Sequence, residues 1–149
     1  MTAETGTLPP PLAEIVEVFA TSPPRDRLEL LLEYSQTLPS LPPRLAEHPE
    51  RLEPVPECQS PLFVASEVDA DRRVHLFIDA PQEAPTTRGF GGIFHAGLDG
   101  LTVDEVLAVP GDVTARFGLA EVVSPLRLRG AAALLGRIQR QVREQVSAA

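Results

Sequence analysis

The sequence predicts an α+β fold: a small antiparallel sheet of two to three strands with helices packed around it, in the order α-α-β-β-α-α-α. Three observations lead to this expectation. Two short segments near the middle of the chain are rich in apolar residues and alternate with polar ones, as half-buried strands do. A short acidic turn joins them, so they are expected to pair as a hairpin. Segments on both sides of the hairpin carry apolar residues at helical spacing.

The first part of the chain is predicted to hold two helices behind a disordered segment. Residues 1–10 are small, polar and proline-terminated, which predicts disorder, and residues 11–149 are expected to form one domain. A first helix is expected over Leu12–Ala20. Ser22-Pro23 has the residue types of an N-cap and a first helical turn, so a second helix should follow it. That helix carries an apolar stripe at Leu28, Leu31, Leu32 and Leu38.

A proline-rich linker and the hairpin come next. Residues 39–57 are predicted to form the linker, in which Glu53–Val55 could pair as a short edge strand. The predicted strands are Leu62–Val68 and Arg72–Ala80, joined by the turn Asp69-Ala70-Asp71. The second strand alternates, so its two faces are expected to differ: Val74, Leu76 and Ile78 on one, and Arg73, His75 and Phe77 on the other.

Helices fill the rest of the chain. A third helix is expected to begin near Thr86 or Thr87, with an apolar face at Phe90, Ile93, Phe94 and Leu98. Thr102-Val103-Asp104-Glu105 matches a capping box and should begin a short fourth helix. A further turn capped by Asp112 is expected to stop at Gly118. The final helix is predicted over Arg129–Val146, with Leu134, Ile138, Val142 and Val146 on one side and Arg137, Arg140 and Arg143 facing water.

Composition limits the possible functions. The net charge of −8 argues against nucleic acid and anionic membranes as partners. No apolar run is long enough to cross a bilayer, and the N-terminus does not have the pattern of an export signal. With a single cysteine as well, the reducing cytoplasm is the expected compartment. All 13 basic residues are arginine, so Schiff-base chemistry and a covalent pyridoxal phosphate site, which need lysine, are excluded.

Cys58, the single cysteine, is the main candidate for chemistry. Pro56 and Pro61 bracket it, so the thiol is expected on a stiff loop ahead of the first strand, where reactive groups are often presented. Glu53 and Glu57 lie nearby in sequence and disfavour a thiolate, so an arginine has to offset them if the thiol is to react near neutral pH. The alternative is that Cys58 is buried as a small apolar residue.

Other polar motifs are weaker candidates. Three histidines are scattered along the chain, without the spacing of a Cys–His dyad or a zinc site, and no metal is expected: His48, His75 and His95. The run Arg88–Gly92 lacks the ending of a phosphate-binding loop, and its glycines are expected to let the third helix pack against the cysteine loop. Ser124–Gly130 is expected to form a turn before the last helix, from which Arg127 or Arg129 could stabilise a sulfur anion.

Cys58-Gln59-Ser60, followed by an apolar strand, belongs to a longer pattern. Four other segments follow one another in a familiar order: Leu31–Leu41, Thr87–Phe90, Thr102–Leu107 and Ser124–Gly130. Together the five segments, spread over roughly residues 12–145, resemble the SufE family of sulfur-acceptor proteins. The family motifs that they resemble are G-C-Q-S-x-V-W at the cysteine, a closing L-P-x-L, V-K/R-G-L, T-P-E-E-I-L and S-P-S-R-x-x-G.

The resemblance implies a SufE-like fold and a sulfur carrier that has no cofactor of its own. A pyridoxal-phosphate-dependent cysteine desulfurase forms a persulfide on its own cysteine, and Cys58 takes the outer sulfur and passes it to a scaffold for iron–sulfur cluster assembly. The protein would then be a sulfurtransferase-type carrier with Cys58 as catalytic residue and four supporting residues: Gln59, Ser60, Arg127 and Arg88. The apolar strand and the third helix are expected to shield the persulfide.

The chain departs from the family pattern beside the cysteine. Glu57 stands where the family has glycine, and Pro61 takes the place of a polar residue, so a stiffer loop is expected. Two other functions stay open. One is a non-catalytic regulator that binds a desulfurase or another partner while Cys58 is merely packed. The other is a redox-sensing thiol, which would form a sulfenic acid.

Overall fold

The computed structural model describes residues 8–148, so residues 1–7 of the predicted disordered segment lie outside the described part of the chain. Within it, nine elements surround one cluster of buried apolar side chains. The helices are α1 (Pro10–Thr21), α2 (Pro24–Tyr34), α3 (Pro43–Ala46), α4 (Pro85–Leu98), α5 (Val103–Leu107) and α6 (Pro125–Ala148). The strands are β1 (Glu53–Pro54), β2 (Phe63–Val68) and β3 (Val74–Asp79). Short 3-10 turns occur at Pro49–Arg51, Pro56–Cys58 and Val113–Phe117.

The three strands form one antiparallel sheet in the order β1-β2-β3. Glu53 pairs with Val64 at one edge, and β2 and β3 pair in register from Phe63↔Asp79 to Val68↔Val74. The α+β fold class with a small antiparallel sheet is therefore confirmed. Strand β1 lies within the predicted edge strand Glu53–Val55.

Strand β3 begins two residues later than predicted, because the hairpin turn is longer than the three-residue turn that was predicted. Asp69 Oδ1 accepts hydrogen bonds from the backbone N–H groups of Asp71 and Arg73, at 2.8 and 3.0 Å. Arg72 has a φ of 60°, so it turns the chain instead of extending it. The predicted alternation is confirmed: Val74, Leu76 and Ile78 are buried, and His75 and Phe77 are half-buried.

Local capping signals differ in how well they locate helix ends. The capping box of α5 is confirmed, since the Glu105 N–H donates to Thr102 Oγ1 at 3.2 Å and the Thr102 N–H donates to Glu105 Oε1 at 2.9 Å. Gly118 ends the last 3-10 turn with a φ of 65°, as predicted, although Asp112 makes no side-chain cap there. The predicted N-cap at Ser22 is wrong. Its hydroxyl donates to the Val18 carbonyl at 2.7 Å and so ends α1.

The predicted order of elements is not confirmed, and the start of the last helix differs as well. The linker is not structureless, because it contains α3, β1 and two 3-10 turns. The last helix begins at Pro125 and not at Arg129, so most of the expected turn Ser124–Gly130 is helical. Ser124 precedes this helix and its Oγ accepts from the Arg127 N–H at 3.3 Å, while proline suits the first helical position.

Helix α6 brings the C-terminal part of the chain to the cysteine. It packs along β2 and against the 3-10 turn Pro56–Cys58, and it also contacts α4 and α5. Helix α4 lies between α1, α2 and β3. Across residues 8–148, no helix combines the length and the apolar character needed to cross a membrane.

Candidate functional site

Cys58 is the last residue of a single 3-10 turn that the surrounding backbone holds on both sides. Its N–H donates to the Val55 carbonyl at 3.1 Å, and the N–H of Val55 donates to the Leu62 carbonyl at 2.8 Å. Gln59 follows with a φ of 60°, a left-handed conformation that is uncommon for residues other than glycine. The cysteine therefore lies in a tight turn inserted between β1 and β2.

Helix α6 provides the surface on which this turn rests. A Cβ atom added to Gly130 would lie 2.8 Å from both the Cα and the Sγ of Cys58. Such a contact is shorter than packed carbon and sulfur atoms allow, so only glycine lets the helix approach this closely. The first turns of α6 thus form one wall around the thiol.

The thiol borders a cavity of about 260 Å³. Its lining comes from the cysteine turn and from the start of α6: Cys58, Gln59, Ser60, Ser124, Leu126 and Arg127. Cys58 itself is only 7% exposed. Since one water molecule occupies about 30 Å³ in the liquid, the space holds several atoms beyond the sulfur. The expected shield of strand and third helix is thus replaced by the start of α6.

The environment of Cys58 favours the neutral thiol. Burial raises its pKa to about 11, and the negative charge of Glu57 acts in the same direction. The charges of Arg137 and Arg127 lower the pKa, but they do not offset burial. The arginine charges therefore oppose Glu57, but in this conformation burial still leaves the neutral thiol favoured near neutral pH.

Arg137 is a site residue that the sequence pattern did not reveal. It was expected to face water, but its side chain is only 21% exposed. Its Nη1 donates to Glu57 at 3.3 Å, and its Nε lies 3.2 Å from Glu53 Oε2 as an ion pair without hydrogen-bond geometry. One signal was available: Arg137 follows Gly130 by two helical turns, so both residues lie on the same side of α6.

Arg127 reaches the cavity from the first turn of α6. Its Nη1 donates to Thr87 Oγ1 at 3.4 Å, which links α6 to α4. Arg129, the alternative candidate, is exposed and does not line the cavity. Gln59 and Ser60 do line it, so the structure brings Gln59, Ser60 and Arg127 to the cysteine.

Arg88 lies elsewhere. Its guanidinium donates to three backbone carbonyls of the core, those of Ser35, Leu38 and Ala80. It ties α4 to the segment after α2 and to the end of β3, and it does not line the cysteine cavity. Two of the glycines beside it, Gly89 and Gly92, pack α4 against α2, because a Cβ on Gly92 would collide with the Tyr34 carbonyl. The expected packing of these glycines against the cysteine loop is wrong.

The histidines pair with carboxylates and none of them lines the cysteine cavity. His75 Nε2 lies 2.7 Å from Asp69 Oδ2, and the other two pairs are His48 with Glu50 and His95 with Asp99. Within residues 8–148, no group of three or more His, Cys, Asp or Glu side chains is arranged to hold a metal ion.

Comparisons with known proteins identify a family for this chain. The SufE family model, described as an Fe-S metabolism associated domain, matches residues 13–142. A SufE-like protein of Mycobacterium tuberculosis is 53% identical over 139 residues, which is 93% of this chain and 96% of the relative. The chloroplastic/mitochondrial SufE-like protein 1 of Arabidopsis thaliana is 29% identical over 90% of this chain but only 35% of its own length.

A solved structure extends the likeness to the fold. The solution structure of a hypothetical protein from Thermus thermophilus has a TM-score of 0.82 and 40% identity, covering 94% of this chain and 98% of that one. The family match spans the cysteine turn, the cavity and most of α6. This chain belongs to the SufE family and has a role in iron–sulfur metabolism.

Proposed function

We propose that this protein is a sulfur carrier that accepts persulfide sulfur on Cys58 and passes it on for iron–sulfur cluster assembly. The observation that carries the proposal is the position of the chain's single thiol at a cavity of about 260 Å³. Its polar lining of Gln59, Ser60, Ser124 and Arg127 leaves room for a second sulfur atom and offers donors to an anion.

The transfer step is a thiol–persulfide exchange. The Cys58 thiolate attacks the outer sulfur of a persulfide on the donor protein's cysteine, and a new S–S bond forms at Cys58. The donor's S–S bond breaks, and its cysteine leaves as a thiolate. No net oxidation occurs because one persulfide is exchanged for another. A second exchange of the same kind releases the sulfur to the next acceptor.

The closed conformation stores the thiol and keeps it inert. With a pKa of about 11, roughly three in ten thousand Cys58 side chains are thiolates at pH 7.5. Transfer therefore requires the turn Pro56–Cys58 to leave its seat on α6, so that the sulfur meets the donor outside the buried environment. After transfer, return to the cavity protects the outer sulfur from other thiols.

The proposed donor is a pyridoxal-phosphate-dependent cysteine desulfurase, and the proposed acceptor is an iron–sulfur scaffold complex. This chain has no lysine, so a Schiff base with cysteine has to form on a separate protein. The cytoplasm is the proposed compartment, since a reducing environment keeps the lone thiol available for exchange.

The test is sulfur transfer to the Cys58→Ser variant. Wild-type protein is incubated with a cysteine desulfurase and radiolabelled cysteine, then separated without reductant. Label is expected on the wild type and absent from the variant, whose hydroxyl is not a nucleophile for sulfur. Circular dichroism checks that the variant is folded. Equal labelling of both proteins would exclude Cys58 as the acceptor, and a wild type that stimulates the desulfurase without label would instead be a regulator.

A further inference from the structure

We propose that Arg137 is a positioning residue for Cys58: its ion pairs with Glu53 and Glu57 hold the cysteine turn closed on α6, and their release frees the thiol. This inference rests on the proposed function, because a carrier with a buried thiol can react only if the contacts that hold its cysteine turn closed can be released. Glu53 lies in β1, just before the turn, and Glu57 lies within the turn.

The contacts place one guanidinium between two carboxylates of the same loop. Arg137 Nη1 lies 3.2 Å from Glu57 Oε1, and Nε lies 3.2 Å from Glu53 Oε2. The Arg137 side chain is about four-fifths buried, whereas the carboxylates are 34% and 41% exposed. Since a third or more of each carboxylate side chain is exposed, dissolved salt still reaches and weakens both pairs.

Neighbouring residues of α6 fix one half of this arrangement. Arg140 pairs with Glu53, and Gln141 donates to Glu53 Oε1 at 3.0 Å. Burial works to raise the pKa of Glu53, but the bonds from Arg140 and Gln141 and the charges of Arg140 and Arg137 hold it below its ordinary value. Glu53 is thus anchored through several partners. Within residues 8–148, the carboxylate of Glu57 pairs with Arg137 alone, which makes this pair the releasable one.

The pair gives Glu57 a role that its effect on the thiol does not explain. Glu57 stands immediately before the cysteine. A glutamate there raises the pKa of the thiol, so it does not help chemistry in the closed state. Its contact with Arg137 gives it a different use, which is to tie the turn to the helix.

The experiment measures how fast iodoacetamide, an uncharged probe, alkylates Cys58 in the full chain without any partner. Arg137→Gln is expected to react about three- to tenfold faster than wild type, the change that loss of one or two such pairs makes in an opening equilibrium. The sign is decisive. If Arg137 acted only through its charge on a closed thiol, its loss would raise the thiol pKa further and slow the reaction.

Matched variants separate the loss of the Arg137 ion pairs from a general loss of stability. Arg143→Gln removes an exposed arginine of the same helix and is expected to react like wild type. Arg137→Gln already breaks the pair with Glu57, so adding Glu57→Gln should cause no further increase in hydrogen exchange over residues 53–60. Hydrogen exchange should increase over residues 53–60 in Arg137→Gln and stay unchanged in the middle of α4.

Wild-type protein supplies a test that does not depend on any variant folding. Raising the salt concentration is expected to speed alkylation at constant pH, because it weakens the ion pairs. The proposal would be overturned by an Arg137→Gln alkylation rate equal to or below that of wild type, or by a wild-type alkylation rate that does not depend on salt. The alkylation experiment contains no desulfurase, so its failure would leave the sulfur-carrier proposal standing. Conversely, a failure to label Cys58 in the transfer assay would not change the result of the alkylation experiment.

Discussion

The side chain of Cys58 is protected and yet close to solvent. It is 7% exposed and its pKa is raised to about 11, but it borders a cavity whose rim includes the exposed residues Gln59 and Leu126. The charge of Glu57 could be predicted from sequence because the two residues are adjacent. Of the two opposing arginines, Arg127 was a candidate from its motif, whereas Arg137 is distant in sequence and comes near the thiol only when α6 packs against the turn.

The raised pKa makes stability depend on pH. The folded pKa of Cys58 lies above its ordinary value, so the stabilising effect of the neutral thiol is complete below about pH 9 and is lost as pH rises through about 11. The advantage of wild type over Cys58→Ala in free energy of unfolding should therefore shrink by about 2 kcal/mol between those pH values. Urea unfolding at pH 8.5 and pH 11 measures it, and a constant difference would mean that the thiol is not desolvated.

At the scale of elements, α6 organises the site. Its Gly130 packs against the cysteine, its Arg127 lines the cavity, and its Arg137 pairs with the two carboxylates. The start of this helix was predictable in principle from Ser124-Pro125, a pair also present before α2. Ser124 accepts a hydrogen bond from the N–H of Arg127 and so begins α6. Ser22 instead donates to a carbonyl of α1 and so ends that helix. Such a choice depends on the preceding helix and not on the dipeptide.

Two glycines of α6 provide a matched pair of substitutions. In Gly130→Ala the new methyl group would overlap Cys58, and the variant is expected to lose about 1–3 kcal/mol of unfolding free energy and to expose the thiol to iodoacetamide. Gly136→Ala adds the same group where nothing lies within 4 Å, and should gain about 0.5–1 kcal/mol from helix propensity. Urea unfolding of both checks this, and equal effects would mean that α6 does not touch the cysteine turn.

Across the whole molecule, predictability follows the range of the interactions. The pairing of β2 with β3, the α5 capping box and the core face of β3 rest on neighbours in sequence, and the sequence predicts them correctly. The cavity joins residues near 58 to residues near 127, and Arg88 is drawn away from it by three carbonyls of the core. The cysteine and its motif could be recognised from sequence, while its burial and its arginine partner required the packed structure.

The most direct test of the central claim is the mass of the protein itself. Wild-type chain is incubated with a cysteine desulfurase and cysteine, kept free of reductant, and analysed by intact-protein and peptide mass spectrometry. The account predicts added mass of one sulfur atom, located on the peptide that contains Cys58 and removed by dithiothreitol. A fully active desulfurase that leaves the Cys58 peptide unmodified would contradict it.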